Sequence, residues 1–391
     1  MLFSVVEGHH VASRRIIGAA IRAGANAHVI TLEPDANACA RAENSGKWTI
    51  VNSKKSPIGN IGFLSSISRT IDELIKSVNV ASQVKFSGCD LIHVLNITKE
   101  AYVIAHKLLR VKKPLLVHFY HSPYVLTDDV FLIRNVALRT GLYGRVLDNH
   151  VLTTNVSLYN FLVDNLGIDP ERVHYAPYPV DTNTFKPSNN KESLREKHGL
   201  PPDQPIVVYV GSLNPARGIS TLIRSFHNVL SRFPRALLYI SHPHHKPEET
   251  YETQLRELVQ NLKLQKNVLI VGPSPHVEEI YNLADVVVLP FRRPYWVDPP
   301  LVLLEAMSSG VPVVVTSVGA IGEVIRDHEN ALVIRPENPE ILAEAIIELL
   351  ENPRDSLEMG KRARETIAQN YSYEVVGKRL LEIYDFILDR S

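Results

Sequence analysis

The sequence has few cysteines, no long apolar run and no excess of either charge. Only Cys39 and Cys89 occur among 391 residues. Neither lies in a CxxC or Cys/His arrangement, which excludes a disulfide framework and a cysteine-based zinc site. No apolar run approaches the roughly 18 residues that a helix needs to cross a bilayer. The 42 basic and 42 acidic residues cancel, so we expect no nucleic-acid partner.

The first ten residues, MLFSVVEGHH, contain too few apolar side chains for the core of a signal peptide. The scarcity of cysteine favours a reducing compartment. We therefore expect a cytoplasmic protein, whose contact with a membrane is at most peripheral and lies on the cytoplasmic face.

The chain does contain a repeated alternation of short apolar runs and segments of helical period, which is typical of parallel strands joined by crossover helices. Two such series occur, and their total length exceeds one ordinary hydrophobic core. The predicted strands are 2–6, 27–32, 90–95, 114–119 and 150–153 in the first series, and 206–210, 236–240, 268–271, 286–289 and 312–315 in the second.

This count predicts an α/β fold of two doubly wound, Rossmann-like domains. The predicted boundaries are 1–183 for the first domain and 184–370 for the second, with a C-terminal helix, 371–391, packing back on the first. Ligands of open parallel sheets bind beyond the carboxyl ends of the strands, so we expect two facing domains with a cleft between them.

The segment LPFRRPYWVDPPLVLLEAMSSGVP, at 289–312, carries the strongest chemical signal. A strand ends, a loop follows, and a helix is predicted from about Pro299 to Gly310, with Asp298 as its N-cap. Glu305 is a single carboxylate on this apolar helix and needs a partner, because burying an unpaired charge is costly. The hydroxyls of a ribose or a nearby arginine would each satisfy it, and the residues alone leave both open.

Several segments, taken together and in order, resemble the retaining glycosyltransferases of the GT-B fold, in the group 1 family (glycosyltransferase family 4). The clearest are LLEAMSSGVPVVVT at 303–316 and VGSLNPARGISTLIRSF at 210–226, and weaker similarities cover nearly the whole chain. The resemblance implies an enzyme that moves a sugar from a nucleotide-sugar donor to a hydroxyl acceptor: a glycan, a lipid-linked molecule or a small molecule. It implies no resident cofactor, and the lack of an Asp-x-Asp motif predicts a metal-independent reaction.

The resemblance also implies a diphosphate site after the first strand of the second domain. The family's Gly-Arg-Leu…Lys-Gly pattern reads Gly211, Ser212, Leu213, Arg217 and Gly218 here, so one cation is kept and one is replaced by serine. Arg217 falls at a predicted helix start, where backbone amides and the helix dipole favour phosphate.

Glu305 matches the family glutamate that holds the ribose, and the sugar-binding glutamate eight residues earlier falls on Val297. Asp298 either contacts the sugar or only caps the helix. The resemblance makes His121, Arg217 and Glu305 the catalytic candidates. Further donor-binding candidates are Gly8, Gly272, Pro273, Ser317 and Gly319, and possible phosphate or acceptor contacts are His9, His10, Arg292 and Arg293.

Two alternatives stay open. Ser212 and Val297 replace polar family positions, which leaves room for a catalytically impaired sugar-nucleotide or glycan-binding protein. A phosphorylase that uses a sugar phosphate is the other alternative.

The N-terminal half also carries groups of basic residues close to apolar ones. They predict either contact with anionic lipid headgroups or an ordinary solvated surface. The residues are Lys107, Arg110, Lys112, Lys113, Arg134, Arg139 and Arg145.

Overall fold

The computed structural model describes residues 2–6, 10–31, 47–50, 77–79, 81–82, 89–95, 105–119, 148–242, 249–293 and 299–391. They fall into two compact units. Unit 1 comprises Met1–Pro179 and Tyr373–Ser391, and unit 2 comprises Val180–Ser372.

Unit 1 contains a parallel sheet flanked by helices. Its described strands are β1 (Leu2–Val6), β2 (Ala27–Thr31), β3 (Lys47–Ile50), β4 (Leu91–Val94), β5 (Leu115–Phe119), β6 (His150–Thr153) and β7 (Val173–Tyr175). Their order is β3-β2-β1-β4-β5-β6-β7. The helices whose bounds fall within the described residues include α1 (His10–Arg22), α2 (Val156–Asn160) and α10 (Tyr373–Leu388), the last being the C-terminal helix.

The strands β4 and β5 are buried along their whole length, as expected for parallel strands covered on both faces. The helix α10 packs closely on α1. A Cβ at Gly377 would lie 2.3 Å from the Ala19 carbonyl oxygen, so this close approach requires a glycine. The guanidinium of Arg22 also lies 4.4 Å from the centre of the Tyr373 ring. The C-terminal segment is thus an integral part of unit 1.

A polar contact joins α10 to the sheet of unit 1. The Nδ1 of His93, on β4, lies 3.0 Å from the hydroxyl of Tyr384, and the His93 ring stacks on that of His118, on β5, at 5.7 Å. Burial lowers the pKa of His93 to about 3, so this ring is neutral near pH 7.

Unit 2 contains a second parallel sheet. Its strands are β8 (Ile206–Val210), β9 (Leu237–Ser241), β10 (Val268–Val271), β11 (Val286–Leu289), β12 (Val313–Thr316) and β13 (Leu332–Ile334). The helices are α3 (Lys191–Lys197), α4 (Ile219–Arg232), α5 (Glu249–Asn261), α6 (Val277–Asn282), α7 (Leu301–Ser308), α8 (Pro339–Glu351) and α9 (Pro353–Asn370).

The strand order in unit 2 is β10-β9-β8-β11-β12-β13, so the chain reverses its direction of winding between β8 and β11. At such a switch point the loops after the two central strands diverge and leave a crevice at the carboxyl edge of the sheet. The loops after β8 and β11 therefore define where a ligand of unit 2 is expected.

The ten predicted strands are present with shifts of at most one residue at their ends, and β3, β7 and β13 are additional. The predicted start of α7 is wrong. Pro300 occupies the N-cap position in an extended conformation, so the prediction that Asp298 caps this helix is also wrong. The reason is the Pro299-Pro300 pair, since a residue that precedes proline is disfavoured in helical geometry.

Two further observations concern the part of the chain that the structure describes. His10 is the first residue of α1, not a residue of the loop before it. None of the described helices is both long and apolar enough to span a bilayer.

Candidate active site

The loops after β8 and β11 pack directly against each other at the carboxyl edge of unit 2. The backbone N–H of Arg292 donates to the carbonyl of Ala216 at 2.9 Å. Gly218 has a φ of 72°, and a Cβ there would lie 1.8 Å from the carbonyl oxygen of Pro290. Only glycine fits this position, so the approach of the two loops depends on it.

Arg217 is the last residue of a short 3₁₀ turn, Pro215–Arg217, and only the N-cap residue Gly218 separates it from α4. Its guanidinium carbon is 5.1 Å from the centre of the buried Phe291 ring, and its Nε donates to the Ser212 hydroxyl at 3.3 Å. The Phe291 backbone is itself held, because its carbonyl accepts from Thr316 Oγ1 at 2.7 Å. A cation is thus placed beside a helix N-terminus, which is a favourable arrangement for an anion.

Ser212, which replaces the arginine of the family pattern, helps to orient Arg217. Its hydroxyl oxygen also accepts from Asn214 Nδ2 at 3.1 Å, and its carbonyl accepts from the Tyr209 hydroxyl at 2.9 Å. Burial raises the pKa of Tyr209, which keeps the phenol protonated as a donor. A Cβ at Gly211 would lie 2.7 Å from the Tyr209 hydroxyl oxygen, so a glycine suits this turn.

Glu305 lies in the middle of α7 and is 7% exposed. Its Oε2 accepts a hydrogen bond of 2.8 Å from the hydroxyl of Tyr281, on α6. The buried carboxylate therefore has a neutral partner in a tyrosine, which neither sequence alternative named. A carboxylate has about four acceptor sites, so this hydrogen bond does not exhaust its capacity for hydroxyl donors.

The two arginines that follow β11 have different surroundings. Arg292 forms an ion pair with Glu337, whereas Arg293 is exposed. The charge of Arg292 is therefore partly offset by Glu337, and the predicted contact of either arginine with phosphate or acceptor stays a prediction.

The remaining described candidates lie after neighbouring strands. Gly272 and Pro273 follow β10, and a Cβ at Gly272 would meet no atom within 4 Å. Ser317 follows β12, is exposed, and its N–H donates to the carbonyl of Ile334 at 2.9 Å. Gly319 has a φ of 62° and starts a 3₁₀ turn. These residues share the carboxyl edge of the sheet with Arg217.

Five predicted positions lie outside the described residues: Gly8, His9, His121, Val297 and Asp298. Their suggested roles stay predictions. His10 begins α1, and its contact with phosphate or acceptor is a prediction in the same way.

Comparison with known proteins identifies the family of this site. Residues 190–366, which contain Arg217 and Glu305, match the family model of glycosyl transferases group 1. A D-inositol 3-phosphate glycosyltransferase of Corynebacterium efficiens is 29% identical over 233 residues. Residues 190–366 form a group 1 glycosyltransferase domain. The match covers 57% of this chain and 53% of the Corynebacterium protein, so the chain spans about half the length of that relative.

Solved structures extend the likeness in fold to the whole chain. A glycosyltransferase of Rickettsia africae matches with a TM-score of 0.78 and 19% identity, over 100% of this chain and 99% of that one. Alr3699/HepE of Anabaena, in complex with UDP, matches with a TM-score of 0.75 and 19% identity, over 98% and 99%. The chain has the GT-B fold, so the predicted fold class is confirmed, and the predicted group 1 family is confirmed for residues 190–366.

The contacts of the candidate site include two residues that sequence reasoning missed, Phe291 and Tyr281. Both are aromatic residues beside apolar runs, a pattern that predicts an ordinary core position. Their importance comes from contacts with Arg217 and Glu305, which the sequence does not place next to them.

Proposed function

We propose that the chain is a retaining glycosyltransferase that moves a sugar from a nucleotide-sugar donor to a hydroxyl acceptor. The observation that carries the proposal is the setting of Arg217, whose guanidinium is held by Ser212 and Phe291 beside the N-terminus of α4. A guanidinium can bind two phosphate oxygens at once, and the helix amides add further donors. This is the chemistry that a departing nucleoside diphosphate needs.

In the proposed reaction the bond between the anomeric carbon and the diphosphate oxygen breaks, and a bond to the acceptor oxygen forms on the same face. A phosphate oxygen of the donor takes the acceptor proton. Arg217 and the first amides of α4 stabilise the negative charge that develops on the diphosphate. Glu305 binds the ribose hydroxyls, and His121 contacts the reacting sugar. The reaction needs neither a resident cofactor nor a metal.

Two relatives suggest which ligands to test first. Alr3699/HepE, which shares the fold, is in complex with UDP, and this supports uridine diphosphate as the first nucleotide to assay. The name of the Corynebacterium relative supports inositol 3-phosphate as the first acceptor to assay. A glycan or a lipid-linked hydroxyl follows in the same assay.

Glu305→Gln is expected to lower kcat/KM for the nucleotide sugar about 10- to 100-fold, because a neutral amide accepts ribose hydroxyls more weakly than a carboxylate. Release of nucleotide in the presence of donor and acceptor measures the effect. Glu257→Gln, at an exposed position of α5, is the matched control.

Unchanged turnover in Glu305→Gln would contradict the assigned role of Glu305. In the wild type, nucleotide-sugar binding without hydrolysis or transfer, across a broad acceptor panel, would identify a binding protein instead. Transfer from a sugar 1-phosphate without release of nucleotide would identify a phosphorylase.

We further propose that the protein is cytoplasmic and that unit 1 contacts anionic membrane surfaces through residues 105–113. Leu108 is 67% exposed, and Lys107, Arg110 and Lys112 are exposed beside it. An apolar side chain surrounded by cations suits an interface of anionic headgroups and acyl chains. Arg134, Arg139 and Arg145 lie outside the described residues.

Leu108→Ser is expected to reduce co-sedimentation with phosphatidylserine vesicles severalfold, and added salt should reduce it in the wild type. Leu357→Ser, which changes a leucine of unit 2 that is 55% exposed, is the control and should bind as the wild type does. Equal sedimentation of all three proteins, or sedimentation with neutral vesicles alone, would contradict the membrane proposal.

A further inference from the structure

The hydroxyl of Tyr281 donates to the Glu305 carboxylate, and the Tyr281 ring is completely buried on α6. The ring packs edge-to-face on Phe185, with centres 6.0 Å apart and planes at 67°. A buried tyrosine needs a partner for its hydroxyl, and here that partner is a residue of the candidate site. The position of one Glu305 oxygen is thus set by how Tyr281 is packed.

Phe185 belongs to the segment 180–188, which begins unit 2 and is called the leading segment below. Its carbonyl accepts from the Ser308 hydroxyl at 2.5 Å and from Arg364 Nη1 at 3.1 Å. Ser308 is the last residue of α7, the helix that carries Glu305. Arg364 also donates to the carbonyl of Thr182 at 3.3 Å. The leading segment is therefore fixed to α7 by side chains from two helices.

Asn282, the residue after Tyr281 on α6, forms two further hydrogen bonds to the leading segment. Asn282 Nδ2 donates to the carbonyl of Lys186 at 2.9 Å, and Asn282 Oδ1 accepts from the N–H of Ser188 at 2.8 Å. Both α6 and α7 are thus bonded to the leading segment. Tyr281 is held in an assembly that leaves its hydroxyl little freedom to move away from Glu305.

We infer that Tyr281 is a positioning residue for Glu305: its hydrogen bond fixes the rotation of the carboxylate so that the ribose hydroxyls meet correctly aimed acceptor oxygens. This inference rests on the proposed function. The terminal torsion of a glutamate is broad, so a hydrogen bond from a buried, packed donor narrows the range of orientations that the carboxylate plane adopts. Holding a binding group in place through its neighbours is a general requirement of precise sites.

The test measures recognition of the ribose itself. Affinities for UDP and for 2′,3′-dideoxy-UDP are determined by calorimetry, and their ratio reports how strongly the ribose hydroxyls are bound; GDP or ADP and their dideoxy forms are used if they bind more tightly. Tyr281→Phe is expected to lower this ratio about five- to tenfold, with unchanged affinity for the dideoxy nucleotide. Glu305→Gln should lower the ratio to near one.

The control is Tyr239→Phe, which removes a hydroxyl from another buried tyrosine of unit 2 and should keep the wild-type ratio and melting temperature. In the Glu305→Gln background, Tyr281→Phe should have no further effect on the ratio, because the group that it positions is already altered. A second variant, Phe185→Leu, removes the ring against which Tyr281 packs and should also lower the ratio. It provides the test if Tyr281→Phe does not fold.

The possible results separate the inference from the function on which it rests. A wild-type ratio in Tyr281→Phe, with a reduced ratio in Glu305→Gln, would overturn the role of Tyr281 and leave the proposed function intact. A wild-type ratio in Glu305→Gln would overturn the ribose contact, and the role of Tyr281 with it. If the protein binds none of the nucleotides tested, the proposed function itself is overturned.

Discussion

Arg217→Ala lowers the rate of sugar transfer about 100-fold or more in the proposed mechanism, while the protein stays folded. The physical reason is that the guanidinium stabilises charge that develops only as the diphosphate departs, so its loss affects kcat more than the binding of the intact donor. The measurement is kcat/KM for nucleotide release, together with the thermal melting curve.

Two companion variants make the result for Arg217 specific. Arg224→Ala removes an exposed arginine of α4, the helix that follows Arg217, and should leave the rate unchanged. Arg217→Lys keeps the charge but loses the two-pronged geometry, so an intermediate rate is expected. Equal rates in Arg217→Ala and the wild type would show that the cation has no part in the reaction.

Gly218→Ala is expected to destabilise unit 2 by on the order of 3 kcal/mol or more, because two effects add. The residue has a φ of 72°, which alanine adopts at a cost, and its Cβ would lie 1.8 Å from the carbonyl oxygen of Pro290. Relief requires the loops after β8 and β11 to separate, which moves Arg217 away from Phe291. The urea midpoint of unfolding measures the loss of stability.

The matched control for this glycine is Gly272→Ala, at the same edge of the sheet. A Cβ at Gly272 meets no atom within 4 Å, so this variant should unfold at nearly the wild-type urea concentration. If both variants are as stable as the wild type, the close approach of the two loops is not a requirement of the fold.

The strands that the sequence predicts well are the continuous apolar runs, such as β8 and β11, because a parallel strand buried on both faces leaves a short, uninterrupted signal. Two of the three missed strands, β3 and β7, lack that signal. Strand β7 has only three residues with a histidine in the centre, and β3 begins with a lysine. Both are defined by pairing with a neighbouring strand, which periodicity within one segment does not reveal.

The residues of the candidate site also differ in whether the sequence or only the structure identifies them. Glu305 stands in a local pattern that marks it as a carboxylate in need of a partner, and the family resemblance singles out Arg217. Tyr281 and Phe291 act through contacts between distant segments, and the Tyr281 to Glu305 contact joins residues 24 positions apart. Such contacts depend on how the helices and loops around the sheet pack, so no local pattern predicts them.

Ser212, which stands where the family pattern has an arginine, can be interpreted correctly only when its contacts are known. From the sequence it is a position where a family cation is lost. In the structure its hydroxyl accepts from Arg217 Nε at 3.3 Å, so it helps to hold the cation that remains. The replacement therefore fits a site organised around one guanidinium.

The most direct test of the account is a crystal structure of the protein with a bound nucleoside diphosphate, beginning with UDP. The account predicts that the diphosphate lies against Arg217 and the first amides of α4, and that the ribose hydroxyls donate to Glu305. A nucleotide bound elsewhere, with Arg217 and Glu305 making no contact to it, would contradict the central claim.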